Sequence, residues 1–436
     1  MKTRALFTFK ALLFALLACA SAASAQEQDA PKFEIGVQYT SLSINLPGFG
    51  GTENAPGVGG RVTYNFTDYF AVEAEGNVFP SATRRDYTTG GAAQQLQAGV
   101  KVGKRWSRWG LFAKARPGFV SFGETLAPTQ VESGGVTVFS FQRERKTHFS
   151  MDVGGVLEFY PSRRVLVRFD AGDTIVRYGE HAEFVPFPVP TGASAIAPAG
   201  AEIKHSFQFS AGVGFRFGGG ADSGGGSQSS AAGERVRRFE VGAQFSSLVL
   251  RPPASGFGFP FGPTGGDGSQ AEAGGGARIG YNATGRLAFE IEGNFYPRRR
   301  FGIDTAVGGY PSQAQAGVKY GRRFERFGVF GKARPGVVHF SSVNEVSGFE
   351  TFVFGGDTFF FPTFRDTSKT YFSMDVGGVL EFYPKERVFT RFDVGDTMIR
   401  YPSRDNPGGG FLAPPPRLPA ELRHNLQVTA GIGFRF

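Results

Sequence analysis

From residue 32 onward the chain alternates between apolar and polar positions. In KFEIGVQYTSL (32–42), Phe33, Ile35, Val37 and Tyr39 fall on one side of an extended strand, and Glu34, Gly36 and Gln38 on the other. The same period of two runs through roughly 32–44, 57–66, 70–79, 95–105, 110–122, 147–160, 165–178 and 203–217. Helical periodicity is absent, so an all-β chain is expected. Most segments are long enough for tilted strands to cross a hydrocarbon core, which takes about 9–11 residues each.

The set is written twice. FSMDVGGVLEFYP at 149–161 returns letter for letter at 372–384. KFEIGVQYTSL returns as RFEVGAQFSSL (238–248), FAKARPG (112–118) as FGKARPG (330–336), and AGVGFRF (211–217) as AGIGFRF (430–436). Length differences between the copies fall within 45–56, 80–93, 123–146 and 179–202, and none falls near 67–69, 106–108 or 161–164. Short fixed connections therefore alternate with long variable ones, the pattern of one constrained end and one free end. The expected organisation is a signal peptide at 1–25, a first repeat at 26–217, a Gly/Ser-rich linker at 218–237 and a second repeat at 238–436.

One face of the first copy carries Glu34, Arg61, Glu73, Glu75, Lys101, Lys114, Arg116, Asp152, Glu158, Arg168, Asp170 and Arg216. The second copy carries Glu240, Arg278, Glu290, Glu292, Lys319, Lys332, Arg334, Asp375, Glu381, Arg391, Asp393 and Arg435, with the same sign at each place. The opposite face is aromatic and aliphatic, from Phe33 and Val62 to Phe215 and Phe217. Alternation alone leaves open which face points inward. A solvated face needs no balance of sign, whereas ions confined in a narrow interior must pair. The balance therefore predicts a charged lumen and an apolar outer face. In a bilayer only a closed barrel then satisfies the strand backbones.

The ends agree. Lys2 and Arg4, an apolar run at 11–20 and Ala23-Ser24-Ala25 form a secretory signal. Cys19 is the single cysteine and lies in that segment, so disulfides and cysteine metal sites are not expected; Leu16-Leu17-Ala18-Cys19 also resembles a lipoprotein box. The net charge of +9 includes three signal-peptide cations, and nucleic acid is not an expected partner. With its eight amphipathic strands per copy, its loop alternation and its final GIGFRF, the chain resembles the small eight-stranded outer-membrane β-barrel proteins of the OmpA/OmpX type. That resemblance implies short turns in the periplasm, long loops outside, contact with outer-membrane lipid and lipopolysaccharide, and handling by barrel-assembly machinery and periplasmic chaperones. Phe217 and Phe436 read as strand-ending signals. The flexible linker and the paired charges favour two tandem eight-stranded barrels, with one sixteen-stranded porin-like pore as the alternative.

No residue reads as a catalytic, cofactor or metal site. Glu73 and Glu75 read as structural ion-pair partners. His148-Phe149-Ser150 is similar to the His-x-Ser motif of outer-membrane lipid A deacylases, a remote lipid-modifying alternative, but the second copy has Tyr371-Phe372-Ser373. Asn65-Phe66-Thr67 and Asn282-Ala283-Thr284 match a glycosylation sequon at positions where turn chemistry is the better account. Trp106, Trp109, Phe324 and Phe327 read as an interfacial aromatic girdle. Arg84, Arg85, Arg143, Arg145, Lys146 and Arg298-Arg299-Arg300 place cations in long loops, where lipopolysaccharide phosphates are one expected contact. Phe257, Phe259, Phe261 and Phe411 are candidate surface contacts for a ligand the sequence does not name.

Overall fold

The computed structural model describes residues 31–47, 51–83, 87–133, 136–184, 196–218, 237–253, 270–298, 305–354, 357–406, 410–411 and 416–436. The expected signal peptide with Cys19, nearly all of the linker, Arg84, Arg85, Arg299, Arg300, Phe257, Phe259 and Phe261 lie outside these residues. The chain divides into two compact units, the first drawn mainly from residues before 230 and the second mainly from residues after it.

The first unit holds β1 (Phe33–Asn45), β2 (Thr52–Asn65), β3 (Phe70–Thr83), β4 (Gly91–Arg105), β5 (Trp109–Ser133), β6 (Val136–Phe159), β7 (Val165–Tyr178) and β8 (Glu202–Phe217). A short ladder, His181–Phe184 with Ile196–Ala199, lies between the last two. Each strand pairs antiparallel with the next. The last strand then pairs with the first, Phe33 opposite Phe217 and Glu34 opposite Arg216.

The second unit holds β9 (Phe239–Leu250), β10 (Gln270–Asn282), β11 (Leu287–Phe295), β12 (Pro311–Arg323), β13 (Phe327–Phe354), β14 (Asp357–Phe382), β15 (Val388–Tyr401) and β16 (Glu421–Arg435). Its neighbours also pair in order. Its last strand returns to its first, with Glu240 opposite Arg435. The strand pairing of each unit is therefore circular. A slip of one residue would turn every charge outward, so alternation fixes this register.

Burial decides the question of faces. All twenty-four charged residues named above are buried. Phe33, Ile35, Val37, Phe215 and Phe217 are 42–66 % exposed. The unit is inverted relative to a water-soluble barrel. Phe159 alternates with the inward Glu158 and so belongs to the apolar face, yet it is buried, edge-on to Phe169 at 6.2 Å between ring centres.

Two stretches expected as loops are strands. β5 and β6 run 25 and 24 residues, and β13 and β14 run 28 and 26, against about 9–11 needed to cross a bilayer. The pairing continues to Ser133 opposite Val136 and to Phe354 opposite Asp357. Bulges at Phe122/Thr125 and Phe340/Val343 mark where each hairpin leaves its barrel. Aromatic and β-branched residues such as those of FETFVF (349–354) favour extended strands there.

Candidate functional site: the ionic lumen

The strand register brings like charges together first. Lys101 of β4 lies opposite Lys114 of β5, and Lys319 opposite Lys332. Such pairs repel unless anions intervene. The next strands supply them: Lys101 Nζ donates to Glu158 at 2.6 Å, and Lys114 Nζ sits 2.8 Å from Asp152. In the second unit Lys319 meets Glu381 at 2.5 Å and Lys332 meets Asp375 at 2.8 Å.

Two arginines anchor each lumen. Arg116 donates from Nε to Asp152 at 2.9 Å and also reaches Glu73 at 3.2 Å and Glu75. Arg168 forks onto both oxygens of Glu73 at 2.7 and 2.9 Å and bonds Asp170 at 2.8 Å. Arg334 repeats the first pattern with Asp375 and Glu292, and Arg391 the second with Glu290 and Asp393. Arg61 and Arg278 lie on the fringe: each bonds a glutamine, Gln38 at 3.0 Å and Gln244 at 2.9 Å. Arg216 and Arg435 stack over Tyr160 and Tyr383 at 4.2 and 3.9 Å.

Sequence reading missed Arg105 and Arg323. Arg105 donates to Glu34 at 3.0 Å and to the Tyr160 hydroxyl at 2.9 Å, and Arg323 meets Glu240 at 3.1 Å. Parity held the signal, since Arg105 follows Lys101 by four residues on one strand face. It also missed an amide belt above the ions. Asn77 donates to Gln95 at 2.8 Å, Gln95 to Gln208 at 2.9 Å, and Thr174 to Gln208 at 2.7 Å. Asn294, Gln313, Gln427 and Thr397 repeat it. Gly154 and Gly377 make room not for arginine side chains but for the neighbouring strand: a Cβ there would lie 2.3 and 2.1 Å from the carbonyl oxygens of Ala171 and Val394.

Above the belt an inward turn caps each lumen. Thr88 and Thr89 in one unit and Ala306 and Val307 in the other are buried. Gly91 (φ +69°) and Gly309 (φ +64°) close these turns in the left-handed region that favours glycine. His148 Nε2 lies 2.9 Å from the Thr88 carbonyl, and Tyr371 donates to the Ala306 carbonyl at 2.9 Å. Both rings lean on a tyrosine, Tyr178 at 4.8 Å and Tyr401 at 4.7 Å. His148 is thus a cap residue. The Ser150 hydroxyl is buried without a hydrogen-bond partner, so the two are not arranged as base and nucleophile.

At the other end Trp106 stacks on Trp109 at 3.9 Å and Phe324 on Phe327 at 4.5 Å. Asn65 and Asn282 are buried and bond Glu34 at 3.0 Å and Glu240 at 2.9 Å. Thr67 and Thr284 accept backbone N–H bonds across their turns. The sequon residues are turn and network parts. Arg143, Arg145 and Lys146 lie on the β6 extension, not in a loop. No helix among the described residues is long and apolar enough to cross a membrane.

A fold of circular, inside-out strands around an ionic core defines a membrane β-barrel. The family described as "Outer membrane protein beta-barrel domain" matches residues 12–217. That match spans the first repeat, just under half of the chain, and the class it describes, outer-membrane β-barrels, is integral to the bacterial outer membrane. No curated protein matches the chain. Ail, the attachment invasion locus protein of Yersinia pestis, is 14% identical over 42% of this chain and 96% of its own, with a TM-score of 0.25. Neisserial surface protein A is 18% identical over 43% of this chain and 97% of its own, TM-score 0.25. A Pseudomonas aeruginosa FadL homologue is 10% identical over 93% of this chain and 90% of its own, TM-score 0.26. Likenesses this distant assign no role.

Proposed function

We propose that the protein is a pair of closed, non-conducting eight-stranded barrels whose long hairpins form a surface for interaction outside the cell. One observation carries this reading: Lys101, Arg116, Asp152 and Glu158 of the first lumen, and Lys319, Arg334, Asp375 and Glu381 of the second, have no exposed surface at all. A water-filled pore would leave such groups wet. Eight strands enclose an interior just wide enough for side chains to fill. On this reading the short turns are periplasmic, the outer leaflet contributes lipopolysaccharide, and assembly machinery and chaperones act during biogenesis.

The test has two parts. In planar bilayers the folded full chain should give no porin-scale conductance steps. Such steps would replace this reading with the passive porin-like channel. On intact cells, protease added from outside should cut within the hairpin at 344–366 and leave both barrels heat-modifiable on gels. Protection of that hairpin in intact cells, with cutting after outer-membrane rupture, would reverse the assigned sidedness.

A further inference from the structure

The exposed cations are unevenly placed. At the long-hairpin end several surface cations, some of them half-buried, stand beside carboxylates: Arg143 lies 3.7 Å from Glu124, Lys146 2.9 Å from Glu144, Lys369 2.9 Å from Glu345 and Arg417 3.1 Å from Asp405. The short-turn end is different. In the first unit Lys32, Lys104, Arg108, Arg163 and Arg164 are exposed around it, and the turns carry one carboxylate, Asp68. In the second unit Arg238, Arg286, Arg322, Arg326, Lys385 and Arg387 are exposed, against Glu325 and Glu386. Glu386 is already held by Arg237 at 3.0 Å.

This collar adjoins the aromatic girdle. Lys104 lies over Trp106 at 5.7 Å, and Arg322 over Phe324 at 5.2 Å. Aromatic rings of this kind settle at the depth of lipid head groups. A cation beside such a ring sits at phosphate level, and cations one turn further stand just beyond it. The two units reach the same arrangement with different residues, Arg163-Arg164 in one and Lys385 with Arg387 in the other.

We propose that the short-turn rim of each unit binds the head groups of anionic phospholipids in the leaflet it meets. The aromatic residues set the depth, and the cations select for net negative charge over zwitterionic lipid. A basic cluster at an anionic surface gains up to about fivefold in association per cation. The inference rests on membrane insertion and not on the role of the hairpins.

The experiment reconstitutes the full chain in phosphatidylcholine vesicles with trace spin-labelled phosphatidylglycerol or phosphatidylcholine. Electron paramagnetic resonance then reads the motionally restricted fraction of each. Phosphatidylglycerol should associate several-fold better, and the preference should shrink as salt rises to about 0.5 M. K104Q, R163Q, R164Q, R322Q, K385Q and R387Q combined should lower it at least about threefold. Two substitutions at the other end, R365Q and R417Q, should leave it unchanged. All variants should keep the gel mobility shift of the folded chain, because the substituted residues are exposed. Inorganic phosphate at constant ionic strength should not compete. Equal association of the two lipids would overturn the proposal. So would a preference that survives in the rim variant, or one that free phosphate abolishes.

Discussion

At the residue scale the lumen gives sharp expectations, because its charges have no water to fall back on. Arg116 is shared by Glu73, Glu75 and Asp152. Arg116→Met leaves three carboxylates short of a cation, which costs about 3–5 kcal/mol for a buried pair. The chain has two tryptophans, Trp106 and Trp109, and both lie in the first unit. Tryptophan fluorescence in urea therefore reports that unit alone. Arg116→Met should move the transition to lower urea, and the counterpart Arg334→Met should not. Equal shifts for both would mean that the units unfold as one. His148 gives a milder case. Tyr371 makes the same cap bond at the same length, so His148→Tyr should cost less than about 1 kcal/mol. His148→Leu leaves the Thr88 carbonyl without that donor and should cost about 1–3 kcal/mol. Most of this scale was legible beforehand, because alternation assigns a face to every strand residue. Arg105 and Tyr160 share the parity of Lys101 and Glu158 and escaped only because they stand at or just past the strand ends, beside residues that read as turn.

At the element scale the sequence was less transparent. Insertions and deletions at 123–146 pointed to a loop, yet both hairpins run on as ladders. The second hairpin is five residues longer than the first: residues added in opposite pairs lengthen both strands without moving the root, and an extra bulge at Val346/Gly348 takes up the odd one. That root is open to a pH test in the second unit. Hydrogen bonds from Lys369 and then Arg365 hold the Glu345 carboxyl below its ordinary 4.5. A carboxyl lowered by folding stabilises above its unfolded pKa, and that contribution is lost as pH falls through the folded value. Between pH 7 and about 5 the root should be unchanged, and it should loosen below about pH 4. Amide exchange across 343–367, corrected for intrinsic rates, checks this. Glu345→Gln should flatten the acid response, and an unaltered response in that variant would assign the loosening to other groups.

For the whole molecule the question is whether the repeat is one pore interrupted or two barrels in series. Sequence pattern could not decide it, since sixteen alternating strands permit either closure. The circular pairing of β8 with β1 and of β16 with β9 bears directly on it. A β-sheet with a free edge in lipid would leave a row of backbone groups without partners, each costing several kcal/mol. A half-chain can be stable only if its own last strand satisfies its own first. Residues 26–217, expressed alone and refolded in detergent, should therefore migrate differently with and without heating, as a closed barrel does. Deleting Glu202–Phe217 should abolish that shift by exposing the edges of β1 and β7. If the half-chain shows no shift while the full chain does, the two repeats close only together, and the wide-pore reading takes precedence. A shift in the half-chain means that each copy of FSMDVGGVLEFYP serves its own lumen, with Asp152 held by Arg116 in one and Asp375 by Arg334 in the other.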